Sequence, residues 1–169
     1  ERTQRCQAAL NEIGGQAVIL SPGPNLFYLA GLALEPSERY MLFVVPADGE
    51  PTLFVPAMAE SEVREDSWVD VVETYRDDEH PRDRFEEVAT ERGIGSGRVL
   101  VDDHLGARFT LDLQATFPDA SFGLASDVLA DLRISKDGAE LDSMRAAASL
   151  TDEVCASLRD DVTVLGHTE

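Results

Sequence analysis

The sequence predicts an α/β protein in which a mixed β-sheet, with one antiparallel hairpin, is flanked by helices. Short apolar, β-rich runs alternate with segments of helical spacing along most of the 169 residues, a pattern typical of a layered sheet. The alternation is interrupted once, by a turn containing Asp48-Gly49, which is a good hairpin signal. A hydrophobic fraction of 43% is enough to build a core, so we expect a folded, soluble protein.

The first predicted elements are a helix, a strand and a tight turn. Apolar residues at helical spacing predict a helix over 3–13, which Gly14-Gly15 ends. The apolar run 17–20 predicts a strand, and Ser21-Pro22-Gly23-Pro24 is a dense turn signal. We expect Asn25 to cap one helical turn over 25–30.

The remaining elements follow in alternation up to a joint near residue 133. The hairpin strands, over 40–45 and 52–55, should pair antiparallel. The later predictions are, in chain order, a helix over 57–65, a strand over 69–74, a helix over 81–92, a strand over 98–101, a helix over 105–117, a strand over 121–124 and a helix capped by Ser126 and running to about 132. The domains are therefore predicted as 1–132 and 133–169, joined by residues 133–138.

The charge balance excludes several classes of partner. Thirty-three acidic residues face fourteen basic ones, with a single lysine, Lys136, and the formal net charge is -19. Such a chain has no basic stripe for a phosphate backbone, so we expect no nucleic acid and no anionic membrane as partners. An acidic, lysine-poor surface is typical of proteins that work in concentrated salt, where charge repulsion is screened. We expect a halophilic protein, the alternative being an acidic mesophilic one.

The spacing of the cysteines and the lack of a targeting signal in the sequence predict a reducing compartment. Cys6 and Cys155 are far apart and both fall in predicted helices, so no disulfide framework is expected. No signal peptide and no apolar run long enough to span a membrane are present, and we expect a cytoplasmic protein. The absent initiator methionine and an end within a helix-start signal suggest a trimmed chain.

Other candidate sites have weak signals. His80, His104 and His167 lack the spacing of a zinc site. Asp102-Asp103-His104 is interpreted as a solvated turn after a strand, and Cys155 as a buried thiol on an apolar helix face. The glycine-rich stretch 93–97 precedes a strand instead of a helix, so it is interpreted as a flexible connector and not as a phosphate loop.

Residues 133–147 carry the most specific pattern, R-x-x-K-x-x-x-E-L-x-x-M-R-x-A. This pattern resembles the entry to the catalytic domain in the creatinase, prolidase and aminopeptidase P family, where it opens a long first helix. Gly138 stands where the family prefers proline or an acid. Further on, Gly166-His167-Thr168-Glu169 resembles the family segment P-G-x-T-E, with Leu165 in place of the usual proline.

The residues from Asn25 to Leu32 resemble the family pattern N-[IL]-x-Y-L-[ST]-G-[FL], with Ala30 in place of the usual hydroxyl residue. The resemblance implies a creatinase/prolidase N-terminal domain followed by the first helix of a truncated pita-bread catalytic domain. It also implies that catalysis by the parent, a Xaa-Pro metallopeptidase, uses two divalent ions (Mn, Co or Zn). Their ligands, two aspartates, a histidine and two glutamates, lie in the missing part, so we expect no metal site, no catalytic residue and no activity in this chain.

The resemblance further implies a homodimer in which the N-terminal domain of one subunit closes the active site of the other and limits substrate length. The implied substrate is a peptide with proline at its second position. We select Asn25, Tyr28 and Arg39 as candidate substrate contacts, Arg39 because a guanidinium pairs with carboxylates. The alternative is that Asn25 only caps a helix, Tyr28 only packs, and Arg39 only neutralises Glu35 or Glu38. Two other functions stay open: a non-catalytic protein-interaction module and a creatinase-type amidinohydrolase.

Overall fold

A computed structural model describes residues 1–161 of the chain, and the unit up to residue 132 is a six-stranded mixed sheet with helices on both faces. The segment Val164–Glu169, with the second resemblance to the family, lies outside the described residues. The strands are β1 (Gly15–Leu20), β2 (Leu42–Pro46), β3 (Thr52–Pro56), β4 (Val71–Tyr75), β5 (Arg98–Val101) and β6 (Ser121–Leu124). The helices are α1 (Arg2–Glu12), α2 (Pro24–Ala30), α3 (Glu60–Asp66), α4 (Pro81–Glu91), α5 (Ala107–Thr116), α6 (Ser126–Ile134) and α7 (Gly138–Asp161), and a 3₁₀ turn spans Ala57–Ala59.

The strand order is β4-β3-β2-β1-β5-β6. Strands β2 and β3 form the predicted antiparallel hairpin, and β1 also pairs antiparallel with β2, Val18 lying opposite Val45. The pairs β1/β5, β5/β6 and β3/β4 are parallel. Only β2 therefore runs against the other strands, and the fold class predicted from the sequence is confirmed.

Two cores lie on opposite faces of the sheet. Helices α1, α2, α3 and α6 bury apolar side chains on the first face, for example Leu10 and Leu26. Helices α4 and α5 cover the second face, where Phe85 lies between the rings of Phe54 and Phe117 at centroid distances of 5.2 and 6.3 Å. Because successive strand residues point to opposite faces, a strand buried on both faces reads as a continuous apolar run, as β1 does.

Several predicted boundaries shift for local reasons. Strand β2 begins at Leu42, two residues later than predicted, because Tyr40 lies before the ladder and donates its hydroxyl to Asp112. The single helix predicted over 57–65 is a 3₁₀ turn followed by α3. Asn25 does not cap α2: the cap position is Gly23, and Asn25 lies inside the helix.

The loop between Gly93 and Gly97 is held by a side chain from β1. The Gln16 amide oxygen accepts the N–H groups of Gly95 and Gly97, each at 3.1 Å, and its amide nitrogen donates to the Gly93 carbonyl. The expectation of a flexible connector therefore missed a clamp formed by one glutamine. No local sequence signal links Gln16 to residues 79 positions away.

From Arg133 onward the chain forms a second compact unit, separate from residues 1–132. Its helix α7 begins with a capping box: the Asp137 carboxylate accepts the Glu140 N–H at 2.8 Å, and the Glu140 carboxylate accepts the Asp137 N–H at 2.9 Å. This exchange satisfies two backbone donors at a helix start. It explains how a helix begins at Gly138, where the family prefers another residue.

A network of charged side chains joins α4 to strands β3 and β4. The Glu73 carboxylate accepts from Arg84 at 2.9 Å and from Arg92 at 3.1 Å, and Arg92 also donates to the buried hydroxyl of Thr52 at 2.8 Å. The side chains of Glu73, Arg84 and Arg92 are 21–27% exposed, so water screens them less than it screens a surface pair. The Glu73 carboxylate is thus shared by two guanidinium groups, and Arg84 has a second acidic partner in Glu87 at 3.0 Å.

The two thiols have opposite environments. Cys6 is completely buried under the first face, and burial raises its pKa to about 12 from an ordinary value of 9.0. Cys155 is exposed, so the expectation of a buried thiol on α7 is wrong for this chain. The apolar side chains of α7, among them Leu141 and Met144, are likewise exposed.

Replacing Glu73 by alanine is expected to lower the free energy of unfolding by about 1–3 kcal/mol, because two partly buried arginines lose their shared carboxylate. Urea unfolding followed by circular dichroism measures the change. Glu86→Ala is the matched control, since Glu86 is an exposed carboxylate on α4 and its loss should cost less than about 0.5 kcal/mol. Equal losses in the two variants would show that the network contributes nothing.

A thiol-specific disulfide reagent at pH 8 is expected to titrate one cysteine per native chain, Cys155, and two after denaturation. Cys6→Ala should leave the native count unchanged and reduce the denatured count to one. Because the folded-state pKa of Cys6 lies above the unfolded value, its contribution to stability is present below pH 9 and is lost as the pH rises towards 12. Rapid modification of both thiols in the native chain would contradict this assignment.

Candidate functional site

The turn after β1, the segment before β2 and the turn after β5 meet at one edge of the sheet in the first unit. Because only β2 runs against the others, the carboxyl ends of five strands and the amino end of β2 meet at this edge. The chain leaving β1 enters α2 on the first face, while the chain leaving β5 enters α5 on the second face. Where adjacent parallel strands send their connections to opposite faces, the loops separate and leave a crevice that often binds ligands.

A crevice of about 360 Å³ lies at that point. It is bounded by the turn after β1, the segment before β2 and the turn after β5. Arg39 and His104 contribute its charged or titratable groups, and the His104 side chain is 93% exposed. Its apolar walls include Pro22, Pro24, Met41, Leu105 and Phe109.

A second, polar recess of about 190 Å³ adjoins the crevice, and Arg39 lines both. The Arg39 guanidinium donates to the Asp77 carboxylate at 2.7 Å. This hydrogen bond and the charge of Asp77 raise the pKa of Arg39 above its ordinary value, so Arg39 is cationic near neutral pH. Arg39 therefore pairs with Asp77, and neither Glu35 nor Glu38, the two partners expected from the sequence, is its ion-pair partner.

Tyr40 forms the inner wall of the polar recess. Its ring packs edge-on against Phe109 at a centroid distance of 4.9 Å, and its hydroxyl donates to Asp112. Burial and this hydrogen bond raise the pKa of Tyr40 well above its usual range. Tyr40 is thus a neutral hydrogen-bond donor that fixes α5 against the segment before β2.

The turn after β5 is organised by a buried carboxylate. Asp102 is 6% exposed, and its Oδ1 accepts the backbone N–H of His104 at 3.1 Å and the Asn25 amide at 3.5 Å. The interpretation of this turn as solvated holds for His104 and is wrong for Asp102. Asp103 accepts both the backbone N–H and the hydroxyl of Ser126, so Asp103, and not Ser126, serves as the acceptor at the start of α6.

The three residues selected from the sequence do not form one cluster. Arg39 lines the crevice, and Asn25 contacts Asp102 at the adjoining turn. Tyr28 lies in the packing of α1 and α2: the Arg2 guanidinium lies 4.5 Å from its ring centroid, and its hydroxyl donates to the Leu132 carbonyl at 2.9 Å. The geometry gives Tyr28 a structural task, whereas Arg39 is placed where a ligand can reach it.

Arg108 was missed from the sequence, and the environment of Asp102 was misjudged. Arg108, in the first turn of α5, lines the polar recess beside Arg39, and no spacing in the sequence connects residues 39 and 108. Asp102 had a detectable signal, because a polar residue directly after an apolar strand marks the carboxyl edge of a sheet. Within residues 1–161, no three His, Cys, Asp or Glu side chains are placed to hold a metal ion, so the described residues do not fit a divalent-metal centre.

Comparison with known proteins agrees with this architecture. Residues 2–135 match the family Creatinase/Prolidase N-terminal domain. "Putative dipeptidase YkvY" of Bacillus subtilis is 31% identical over 176 residues, which cover 99% of this chain and 48% of that protein. A Xaa-Pro dipeptidase of Lactobacillus delbrueckii is 29% identical, over 88% of this chain and 41% of the relative.

Solved structures give the same result. A dipeptidase from Pyrococcus horikoshii OT3 superposes with a TM-score of 0.89 at 27% identity, over 100% of this chain and 46% of that one. The chain spans about half the length of the curated relatives it matches. On the strength of the match over residues 2–135, the chain belongs to the creatinase/prolidase N-terminal domain family.

Proposed function

We propose that this chain is the substrate-gating and dimer-forming N-terminal domain of a proline-specific (Xaa-Pro) dipeptidase or aminopeptidase, a hydrolase whose catalytic domain lies outside the chain. The main support is the family match over residues 2–135, together with the relatives named as dipeptidases, which are about twice as long as this chain. The unit beginning at Arg133, with its long helix α7, supports an interpretation as the entry to that catalytic domain.

The position of Arg39 supports the gating role. Its segment lies between α2 and β2 at the edge of the sheet, and its guanidinium lines two adjoining depressions. Functional loops are commonly carried at the rim of a rigid sheet, because the sheet supplies position and the loop supplies chemistry. In the proposed homodimer this rim faces the active site of the second subunit and contacts the carboxylate of a short peptide with proline at its second position.

The metal chemistry of the proposed parent belongs to its catalytic domain. Two divalent ions, Mn, Co or Zn, would act there as Lewis acids. The described part of this chain offers no fitting ligand group, so its proposed contribution to the reaction consists of shape, substrate orientation and dimer contacts.

Two assays test the proposal together. The full-length protein with Mn²⁺ should hydrolyse a Xaa-Pro dipeptide, whereas the present chain with Mn²⁺ should give no turnover above a metal-only blank. In the full-length protein, Arg39→Ala should raise KM by about three- to tenfold with little change in kcat, because it removes a binding contact that is equal in ground and transition states.

Arg5→Ala is the matched control, because Arg5 is an exposed arginine of α1, on the sheet face opposite to α5, and its loss should leave KM unchanged. Turnover by the present chain itself would refute its assignment as a non-catalytic domain. An unchanged KM in Arg39→Ala would refute the gating contact.

We also propose that the protein is adapted to concentrated salt, on the basis of its net charge of -19. Molar salt shortens the screening length to about 3 Å, which removes most repulsion between surface carboxylates. The unfolding temperature should therefore rise substantially from dilute buffer to molar KCl. Sucrose at equal osmolarity is the control, since it stabilises by exclusion without screening charge, and a response no greater in KCl than in sucrose would contradict the proposal.

A further inference from the structure

Arg108 is a cation without an acidic partner at the edge of the polar recess. It is exposed in the first turn of α5, and its guanidinium carbon lies 5.8 Å from the centroid of the Phe109 ring. In the part of the chain that the structure describes, no carboxylate forms an ion pair with it, although acids outnumber bases by 33 to 14 in the sequence. Its charge is therefore available to an anion from solution.

Three carboxylates in or beside the recess already have partners. Asp77 accepts from Arg39, Glu79 accepts the backbone N–H of Arg76 at 2.6 Å, and Asp78 pairs with the Arg76 side chain at 3.3 Å. Three arginines and three acids line the recess: Arg39, Arg76, Arg108, Glu38, Asp77 and Glu79. The lining of the recess is thus far less acidic than the chain as a whole, and Arg108 is the cation in it that has no acidic partner among the described residues.

Arg39 can exchange its partner at little cost. Its side chain is 38% exposed and that of Asp77 is 82% exposed, so water and salt screen their attraction strongly. A ligand carboxylate that also contacts Arg108 would replace one screened contact by two. Guanidinium groups bind carboxylates through directional, charge-assisted hydrogen bonds, which favours such an exchange.

The apolar crevice begins on the other side of Arg39. Phe109 connects the two compartments, because its ring lines the crevice, contacts Tyr40 of the recess and lies next to Arg108. The walls of Pro22, Pro24, Met41 and Leu105 hold no charge. An occupant that fills this crevice and also pairs with Arg108 therefore combines an apolar group with an adjacent negative charge.

We propose that the crevice and the recess together bind an apolar residue carrying a free carboxylate, with Arg108 and Arg39 holding the carboxylate and the side chain packed on Phe109 and Met41. The inference deepens the proposed function and rests on it for the natural ligand, the apolar carboxyl-terminal residue of a short peptide. Two arginines in this arrangement select a free acid over an amide and an apolar side chain over a charged one.

The test uses the present chain and N-acetyl-L-leucine as probe, with N-acetyl-L-leucine amide as its uncharged match. Chemical-shift titration of ¹⁵N-labelled chain should show saturable binding of the acid, with the shifts confined to residues near 21–24, 37–42 and 104–109. The amide should bind about tenfold more weakly, because it loses the charge-assisted hydrogen bonds. Isolated N-terminal domains of related Xaa-Pro dipeptidases have been crystallised, for example that of Streptococcus pyogenes, which supports use of the domain without its parent.

Arg108→Gln should weaken binding of the acid about tenfold and leave binding of the amide unchanged. Arg5→Gln removes the same charge from exposed α1 and should change neither affinity. Equal affinity for acid and amide in the unaltered chain would overturn the proposal, and this comparison does not depend on the folding of any variant. Equal weakening by Arg5→Gln and Arg108→Gln would overturn it too, because net charge and not the site would then govern binding.

The outcome separates this inference from the proposed function. If the chain does not bind the probe while Arg39→Ala still raises KM in the full-length protein, the gating role stands and the carboxylate site is wrong. If the chain binds the acid selectively while Arg39→Ala leaves KM unchanged, the site stands and its link to the reaction is wrong.

Discussion

Burial of β1 on both faces is the constraint on which the rest of the first unit depends. Residues 17–20 have no exposed surface, and the strand pairs antiparallel with β2 on one side and parallel with β5 on the other. A strand in this position needs a helical layer on each face. Helices α1, α2, α3 and α6 supply the first layer, and α4 and α5 supply the second. The connections after β1 and β5 therefore leave on opposite faces, and a crevice opens between them.

Polar contacts then give this edge its shape. Asp102 ties the turn after β5 to α2 through Asn25, Asp103 holds the start of α6, and the Tyr40 hydroxyl joins the segment before β2 to α5 through Asp112. Each of these contacts joins residues distant in sequence, so the fold holds the loops in addition to local turn contacts such as that between Asp102 and the His104 N–H. A rim positioned in this way can present Arg39 and Arg108 to a ligand without a large ordering cost on binding.

A domain with such a rim and without a fitting metal-ligand group has a limited chemical repertoire. Arg39 stays cationic, and the raised pKa of Tyr40 keeps its hydroxyl protonated, so neither group serves as a base near neutral pH. The rim instead offers an apolar wall and guanidinium groups for binding. These properties agree with the gating role proposed above.

The sequence by itself correctly predicted the fold class, the hairpin and the family. These features depend on local patterns, such as apolar periodicity, the Asp48-Gly49 turn and the motif from Arg133 to Ala147, which can be read without knowing what folds against them. Four features emerge only once the layers are packed: Arg39 pairs with Asp77, Asp102 is buried, Gln16 clamps the glycine-rich loop, and Arg108 lies beside Arg39. Each of these features joins residues 38 or more positions apart or depends on burial by distant elements. The packing of the layers sets which side chains meet across such a separation, and local sequence does not record it.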